Sequence, residues 1–336
     1  MKQLTVINDT HISVQRSAGT TPITAWNLRQ SVLKQFEGLM YQATGTDVLI
    51  LGDLFDSGSV ALSDWLRTFQ VLNEWLTTGK TALTLCVGNH DLNKTDTTLS
   101  SCQLLGRMLI DLHPKRFAFI EQPAMTPHGY VVPHVSNQDR FDAAIASVPP
   151  CDVAYFHCNF DNKFAAQSDQ SLNLSREQAE ACLAKNIVIA HEHQTRKIGK
   201  VWIPGNQIVT SVSDCLGSDA KRLTIVEGGQ PRFEKLYDIQ EVYEQMPWDC
   251  LVDSDKPFIR VSGQASSAQA SEVVSAISVY RRQSSALVIT NAVKVLAEDG
   301  SQVFERSLES VKAFDVMAAL KEFLNAEEFA VVERVL

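Results

Sequence analysis

The sequence predicts an α/β fold, a layered β-structure flanked by helices, followed by a smaller α+β unit. Three observations predict it. Short runs rich in Val, Ile and Leu, each turning abruptly polar, recur as LTVINDTH (4–11), DVLILGDLFD (47–56), ALTLCVGNHD (82–91), DVAYFHCNF (152–160) and NIVIAHEHQ (186–194). Segments with helical spacing separate the first three of these runs. Beyond about residue 200 the texture changes to strand-like segments punctuated by Gly.

Continuous apolar runs of this length read as strands buried on both faces, because a strand with one wet face would alternate. Between them, NLRQSVLKQFEGLMYQA (27–43) carries apolar residues at helical intervals. In LSDWLRTFQVLNEWL (62–76), Leu62, Trp65, Leu66, Phe69, Leu72 and Leu76 form one stripe. Strands alternating with helices imply layers. KVWIPGNQIVTSVSD (200–214) and KRLTIVEGGQPRFEKLYDI (221–239) read as strands joined by Gly-containing turns. Residues 240–256 are acidic and aperiodic, and place a boundary between a domain of residues 1–245 and one of residues 250–336. In the latter, PFIRVSG, AQASEVVSAISVYRRQ and SALVITNAVKVL predict strand, helix and strand, with a last helix over 309–325.

The 336 residues suit two units at roughly 100–200 residues per domain. No apolar run approaches the ~20 residues of a membrane span. The opening MKQLTVINDT enters strand-like sequence at once, leaving no room for a signal peptide, so a cytoplasmic protein without a membrane partner is expected. The 7 cysteines are scattered, odd in number and without a CxxC pair, which supports neither a disulfide framework nor a zinc-thiolate site. A net charge of −9 excludes a broadly basic surface. It does not exclude nucleic-acid binding, since bound metal ions and local basic patches offset a global negative balance.

Where each apolar run ends, a polar cluster begins: Asp9 and His11, then Asp53, Asn89 and His90, His157, and His191 with His193. In open α/β sheets ligands bind just beyond the carboxyl ends of strands. Imidazole and carboxylate without thiolate suit borderline divalent metals such as Mn, Fe or Zn. DxH and HxH are i, i+2 spacings, which on a strand put both side chains on one face. Asp53 is the candidate for a carboxylate bridging two ions. Two ions about 3.5–4 Å apart clamp a phosphoryl group and lower the pKa of bound water from ~15.7 to near 7. Singly, each fragment has a plainer reading: Asp9–His11 and VGNHD as turns, GDLFD as a capped strand-to-helix turn, His157 as a core histidine. Jointly, in this order, they favour a metal and phosphate site.

The order DxH … GDxxD … GNHD … H … HxH, spanning residues 9 to 193, resembles the calcineurin-like metallophosphoesterase superfamily. The resemblance implies a metallophosphoesterase β-sandwich with one ion held by Asp9, His11, Asp53 and His193, and another by Asp53, Asn89, His157 and His191. It implies that His90 lies beside the substrate phosphate and helps the leaving oxygen, with Asp91 orienting that histidine. Two positions depart from the usual pattern: Ala190 stands where the last motif usually has Gly, and Asn8 where Ser is common.

A narrower resemblance rests on GDLFDSGS and AHEHQTRKIGKVWIPGNQIVTSVSD, which look like the SbcD-type nuclease subunit of double-strand-break repair complexes. Here Asn206 replaces the usual Ser, and Asp56 stands where some relatives carry His. The residues after 250 resemble that family's DNA-capping domain. This branch implies a manganese-dependent DNA exonuclease or endonuclease, with magnesium as the other metal, acting in repair and recombination with an SbcC-type ATPase. It also implies a homodimer through the helix at 62–76 and its neighbour at 99–112, with Val71 and Trp75 extending the apolar surface. The helix at 309–325 is then expected to dock on the ATPase. The alternative is a small-molecule phosphodiesterase or phosphatase on the same fold, which the net charge favours but which needs no separate cap. A DNA-tethering subunit with little catalysis is a third reading, against which the complete ligand set argues.

Overall fold

The computed structural model describes residues 3–93, 98–162 and 172–296. Strands β1 (Leu4–Ile7), β2 (Asp47–Leu51), β3 (Leu83–Cys86) and β4 (Phe117–Ile120) pair in parallel. Helices α1 (Pro22–Gln42), α2 (Leu62–Thr78) and α3 (Ser101–Leu112) connect them in turn. The α1 start is encoded locally: Thr21 caps the helix reciprocally with Thr24, and Pro22 occupies the first turn, where no amide partner is needed. The antiparallel hairpin of β13 (Ala220–Glu227) and β14 (Gln230–Asp238) adds to β1, giving a six-stranded sheet of order β14-β13-β1-β2-β3-β4.

The second six-stranded sheet contains β5 (Ala124–Thr126), β6 (Gly129–Val132), β7 (Cys151–His157), β10 (Ala184–Ala190), β11 (Arg196–Ile198) and β12 (Val201–Ile203), in the order β11-β12-β10-β7-β6-β5. A short pair, β8 (Asn159–Phe160) with β9 (Asn173–Leu174), follows β7. The two large sheets pack face to face through Leu4, Val6, Leu49 and Leu51 on one side and Val153, Tyr155, Val188 and Ala190 on the other. The alternate residues Ile7, Val48 and Ile50 face Leu28, Val32 and Phe36 of α1 and Leu72 and Leu76 of α2. On the far side, Phe156, Ile187 and Ile189 pack on Phe141 and Ile145 of α4 (Gln138–Ala146). The central strands are therefore apolar on both faces, and each such side chain buried is worth roughly 1.5–3 kcal/mol.

A third sheet holds β15 (Tyr243–Pro247), β16 (Phe258–Ser266) and β17 (Val288–Leu296), all parallel, with the helix Ala270–Gln283 linking the last two. Its own core joins Met246, Trp248, Ile259, Val261, Val273 and Ile277. Phe258 and Val288 also enter the core around α1, and Ile289 N donates to Gly19 O over 2.7 Å. The strand-helix-strand pattern read after residue 256 is present. Within residues 240–256, read as aperiodic, lies β15, whose single buried apolar residue, Met246, leaves no period to detect. The helix read over 309–325 lies outside the described residues.

The apolar surface expected around Trp75 is not exposed. Trp75 is 8% accessible and its indole N–H donates to Met40 O over 3.1 Å, because the ring turns towards α1 rather than outward. The exposed large apolar residues of these two helices are Leu62 and Leu66 of α2 and Leu104, Met108, Ile110 and Leu112 of α3. Among the described residues, no helix is long and apolar enough to cross a membrane.

Candidate metal centre

Four of the five strands stop short of their polar clusters. β1 ends at Ile7, β2 at Leu51, β3 at Cys86 and β10 at Ala190, and their site residues follow in loops at one edge of the sandwich, whereas His157 is the last residue of β7 itself. Thus Asp9 and His11 do not share a strand face, nor do His191 and His193. Asp9, His11, Asp53 and His191 instead have φ of 49°, 48°, 50° and 93°. Left-handed residues other than Gly are uncommon, with Asn, Asp and His the most tolerant. Each costs on the order of 1–3 kcal/mol and persists only where the surroundings hold it. Here the loops after β1 and β2 hold each other: Asp9 N donates to Gly52 O (3.2 Å) and His11 N to Asp53 O (3.1 Å).

The glycines of the GD and GN motifs make room for the side chains. A Cβ on Gly52 or on Gly88 would stand 2.8 Å from His157 Cε1, and on Gly88 it would be closer still to the Asp53 carboxylate.

The structure brings every sequence-selected side chain to this edge. Donor atoms of Asp9, His11 and His193 lie within 4.8 Å of one another, as do those of Asp53, His157 and His191. A third group, His11, Asp53 and His90, joins the two at the same spacing. Asn89 Oδ1 is 3.0 Å from His157 Nε2 and 2.9 Å from His191 Nδ1.

The hydrogen bonds on the far side of two rings settle which nitrogen faces the centre. His193 Nδ1 lies 2.8 Å from Asp214 Oδ1, and an ionised carboxylate only accepts, so Nδ1 carries the proton. Its Nε2 lone pair then points at His11 Nε2, 3.2 Å away. Likewise His157 Nδ1 donates to Leu51 O (3.1 Å), which turns its Nε2 towards Asn89 Oδ1 and towards Asp53 Oδ2 at 3.3 Å. Acceptors facing acceptors repel unless a proton or a cation lies between them.

In the metal-free protein, protons fill that role. Burial alone would push His11 down, but the Asp56 contact and the charges of Asp53 and Asp9 outweigh it and raise its pKa to about 9. For His157, burial is likewise outweighed, by Asp53 and then Asp9, and its pKa also rises to about 9. Burial would raise Asp53, yet His157 and His11 hold its carboxyl well below the usual range. The nitrogen and oxygen donor set, without thiolate, fits divalent first-row ions, and Asp53 groups with His11 and His90 on one side and with His157 and His191 on the other.

His90 is exposed, with its ring edge-on to His11 at 4.9 Å between centroids. Its backbone N donates to Asp53 Oδ1 (2.9 Å), and its Nδ1 lies 2.8 Å from Asp56 O. The orienting partner of His90 is therefore the Asp56 carbonyl and not Asp91. The Asp91 carboxylate accepts from the backbone N of Gly88 (2.9 Å), Phe55 (3.0 Å) and Leu54 (3.3 Å), so its oxygens are used in tying two site loops together. Burial and the neighbouring Asp53 charge push Asp91 up to about 6. Asp56 also places Oδ1 3.3 Å from His11 Nδ1.

Three further residues belong to the neighbourhood. His134 is half-buried, and burial together with His157 pushes it down to about 4, so it stays neutral. Glu192, between the two histidines of HxH, accepts from Phe160 N (2.6 Å) and pairs with Arg196 (2.6 Å), which directs it away from the donor cluster. Asp214 sits in a short 3-10 turn and is buried; burial would raise its pKa, but His193 and the Thr210 amide hold it well below the carboxylate range. A solvent-open cleft of about 510 Å3 runs alongside, lined by Asn159, Phe160, Glu192, His193 and Arg196.

Comparison with solved structures pairs the chain with TT1561 of Thermus thermophilus at 12% identity, over 70% of this chain and 98% of that one, with a TM-score of 0.40. An archaeal phosphodiesterase matches at 13% identity over 70% of this chain and 99% of its own, TM-score 0.33. The Pseudomonas putida nuclease MPE matches at 13% identity over 69% and 87%, TM-score 0.26. No curated protein matches. The sequence profile of calcineurin-like phosphoesterases, in contrast, runs from residue 2 to residue 195, the stretch that carries every loop from Asp9 to His193. With more than half its length under that profile, the chain belongs to the calcineurin-like phosphoesterase family.

Proposed function

We propose that the protein hydrolyses phosphodiester bonds in DNA, using two divalent ions with manganese foremost, as the nuclease subunit of a repair complex with an SbcC-type ATPase. The observation that carries the phosphodiesterase reading is the run of donor clusters in which Asp53 groups with His11 on one side and with His157 and His191 on the other, beside an open cleft that His193 lines. Bound there, two ions would polarise phosphoryl oxygens and lower the pKa of bound water towards neutrality. Asp9, Asp53, Asn89 and the four inward histidines would hold the ions, and Asp9 also fixes the last motif by accepting from His191 N (3.0 Å). His90, exposed and oriented by the Asp56 carbonyl through Nδ1, would give the leaving oxygen the Nε2 proton of its imidazolium form and be left as the neutral ring protonated at Nδ1.

A polymer suits a cleft open to solvent better than a closed pocket does, which supports the nuclease reading. The exposed stripe of Leu104, Met108 and Leu112 supports a homodimer; sedimentation of the protein as a monomer at micromolar concentration refutes that part. A small phosphodiester substrate is the second reading, favoured by the net charge of −9.

The test compares manganese-dependent cleavage of linear duplex DNA with cleavage of bis(p-nitrophenyl) phosphate. Cleavage of both supports the nuclease. Turnover of the small diester alone supports the second reading, and turnover of neither by the metal-loaded protein overturns both.

A further inference from the structure

Between β12 and β13 the chain has little regular structure, yet Asn206, Gln207, Thr210 and Asp214 are all at most 2% exposed. Buried irregular backbone must find partners for its polar groups. Here many of those partners belong to residues at or beside the metal centre. Asn8 and Gln207 exchange hydrogen bonds: Asn8 N donates to Gln207 Oε1 (2.8 Å) and Gln207 Nε2 to Asn8 Oδ1 (2.9 Å). Asn8 Nδ2 in turn donates to Asp9 Oδ2 (2.6 Å) and Gly205 O (2.9 Å). Gly205 needs its missing side chain, because with φ of 72° a Cβ there would stand 2.7 Å from His193 O.

This segment and Lys221 of β13 grip His193 at both ends. Lys221, 1% exposed, donates to His193 O (3.3 Å) and to Asn206 Oδ1 (2.5 Å). Asp214 places Oδ1 2.8 Å from His193 Nδ1. Its Oδ2 accepts from Thr210 N (2.8 Å), Thr210 Oγ1 (3.0 Å) and Ser211 N (2.9 Å), so the carboxylate has no freedom to turn away. The other group is supported differently. His157 Nδ1 leans on the Leu51 carbonyl, a neutral acceptor. A carboxylate behind an imidazole sets its tautomer and also makes it a stronger donor to a metal.

We propose that Asp214 is a positioning residue for one ion position only. It locks His193 with Nε2 towards Asp9 and His11 and makes that position the tighter of the two, so that the ions load in order. This rests on reading the centre as a two-ion site.

The test uses the full chain stripped of metal, in wild type, Asp214→Ala, Asp214→Asn and His157→Ala. Manganese affinity and stoichiometry are followed by calorimetry, and the His193 tautomer by nitrogen NMR of the metal-free protein. Wild type should show two affinity classes and a single His193 tautomer protonated at Nδ1. Asp214→Ala should weaken the tighter class about 10–100-fold, the usual reach of such partners, spare the weaker class and mix the tautomers. Asp214→Asn keeps an acceptor and should retain the tautomer with a smaller loss. His157→Ala should abolish the weaker class and leave the tighter.

Equal weakening of both classes, or an unchanged tighter class, overturns the proposal, as does an unaltered His193 signal in Asp214→Ala. If Asp214→Ala does not fold, Asp214→Asn decides by the same criterion of selective loss. A wild-type protein that loads two ions yet leaves DNA intact overturns the nuclease reading and not this one.

Discussion

Replacing Gly88 by Ala adds one methyl group, and the structure says where it goes. The new Cβ would lie 2.8 Å from His157 Cε1 and closer still to Asp53 Oδ1 and the Asp53 amide. Carbon atoms prefer about 3.5–4.0 Å, so roughly 1 Å of overlap must be relieved by movement. None of the neighbours moves freely: Asp53 is buried and accepts from His90 N, and His157 is buried and anchored to Leu51 O.

Overpacking of this kind costs about 1–3 kcal/mol. At roughly 2 °C per kcal/mol for a chain of this size or a little smaller, the melting temperature in EDTA should fall by about 2–6 °C. The larger effect should be on metal. Displacing Asp53 strains both ion positions at once, so both classes weaken together, unlike the selective loss expected of Asp214→Ala. Calorimetric titration with manganese and a thermal melt in EDTA read the two effects separately. A variant with wild-type affinity and melting temperature would refute the close-packed geometry of these loops.

Asp53→Asn should lose both ions and activity; in EDTA it should also lower the His157 pKa from about 9, because Asp53 is the main charge holding it up, and a His157 that still titrates near 9 by NMR refutes this. His90→Asn should keep both ions while turnover falls by roughly 10²–10⁴, the usual range of acid–base help; loss of metal would mean that His90 is itself a ligand. For pH, His11 and His157 have folded pKa values of about 9 against an ordinary 6.5. Their contribution to the metal-free fold is fully present below 6.5 and lost as pH rises through 9. Melting temperature in EDTA should therefore fall across that window, and manganese binding at pH 7 should release protons, as calorimetry in buffers of different ionisation enthalpy reads; binding without proton release refutes it.

The central strands were legible because two-sided burial removes alternation. Val48 and Ile50 meet the helices while Leu49 and Leu51 meet the other sheet, so the run DVLIL must be apolar throughout. α2 was legible for the complementary reason, a buried stripe of Trp65, Leu72 and Leu76, although Leu62 and Leu66, read into the same stripe, are exposed. β15 was not, since Met246 is its only buried residue and its register comes from β16, a dozen or more positions away in sequence. The same division runs through the metal centre. Each cluster of candidate ligands is local, a few residues long, and its residue types announce the chemistry.

How the ligands are held is not local. The strand reading of DxH failed because backbone bonds from the Gly52–Asp53 loop bend Asp9 and His11 into left-handed conformations. Asp91 sits beside His90 in sequence, yet three amides converging from Leu54, Phe55 and Gly88 capture its carboxylate before the histidine can. Asp214 lies 21 residues beyond His193, and nothing in TSVSD distinguishes a carboxylate that orients an imidazole from one that caps a turn. It does both, one oxygen for each task, and the second task explains how the first is possible. An aspartate already immobilised by Thr210 and Ser211 loses little further freedom when it meets His193. The turn thus prepares the carboxylate, and only the fold brings the histidine to it.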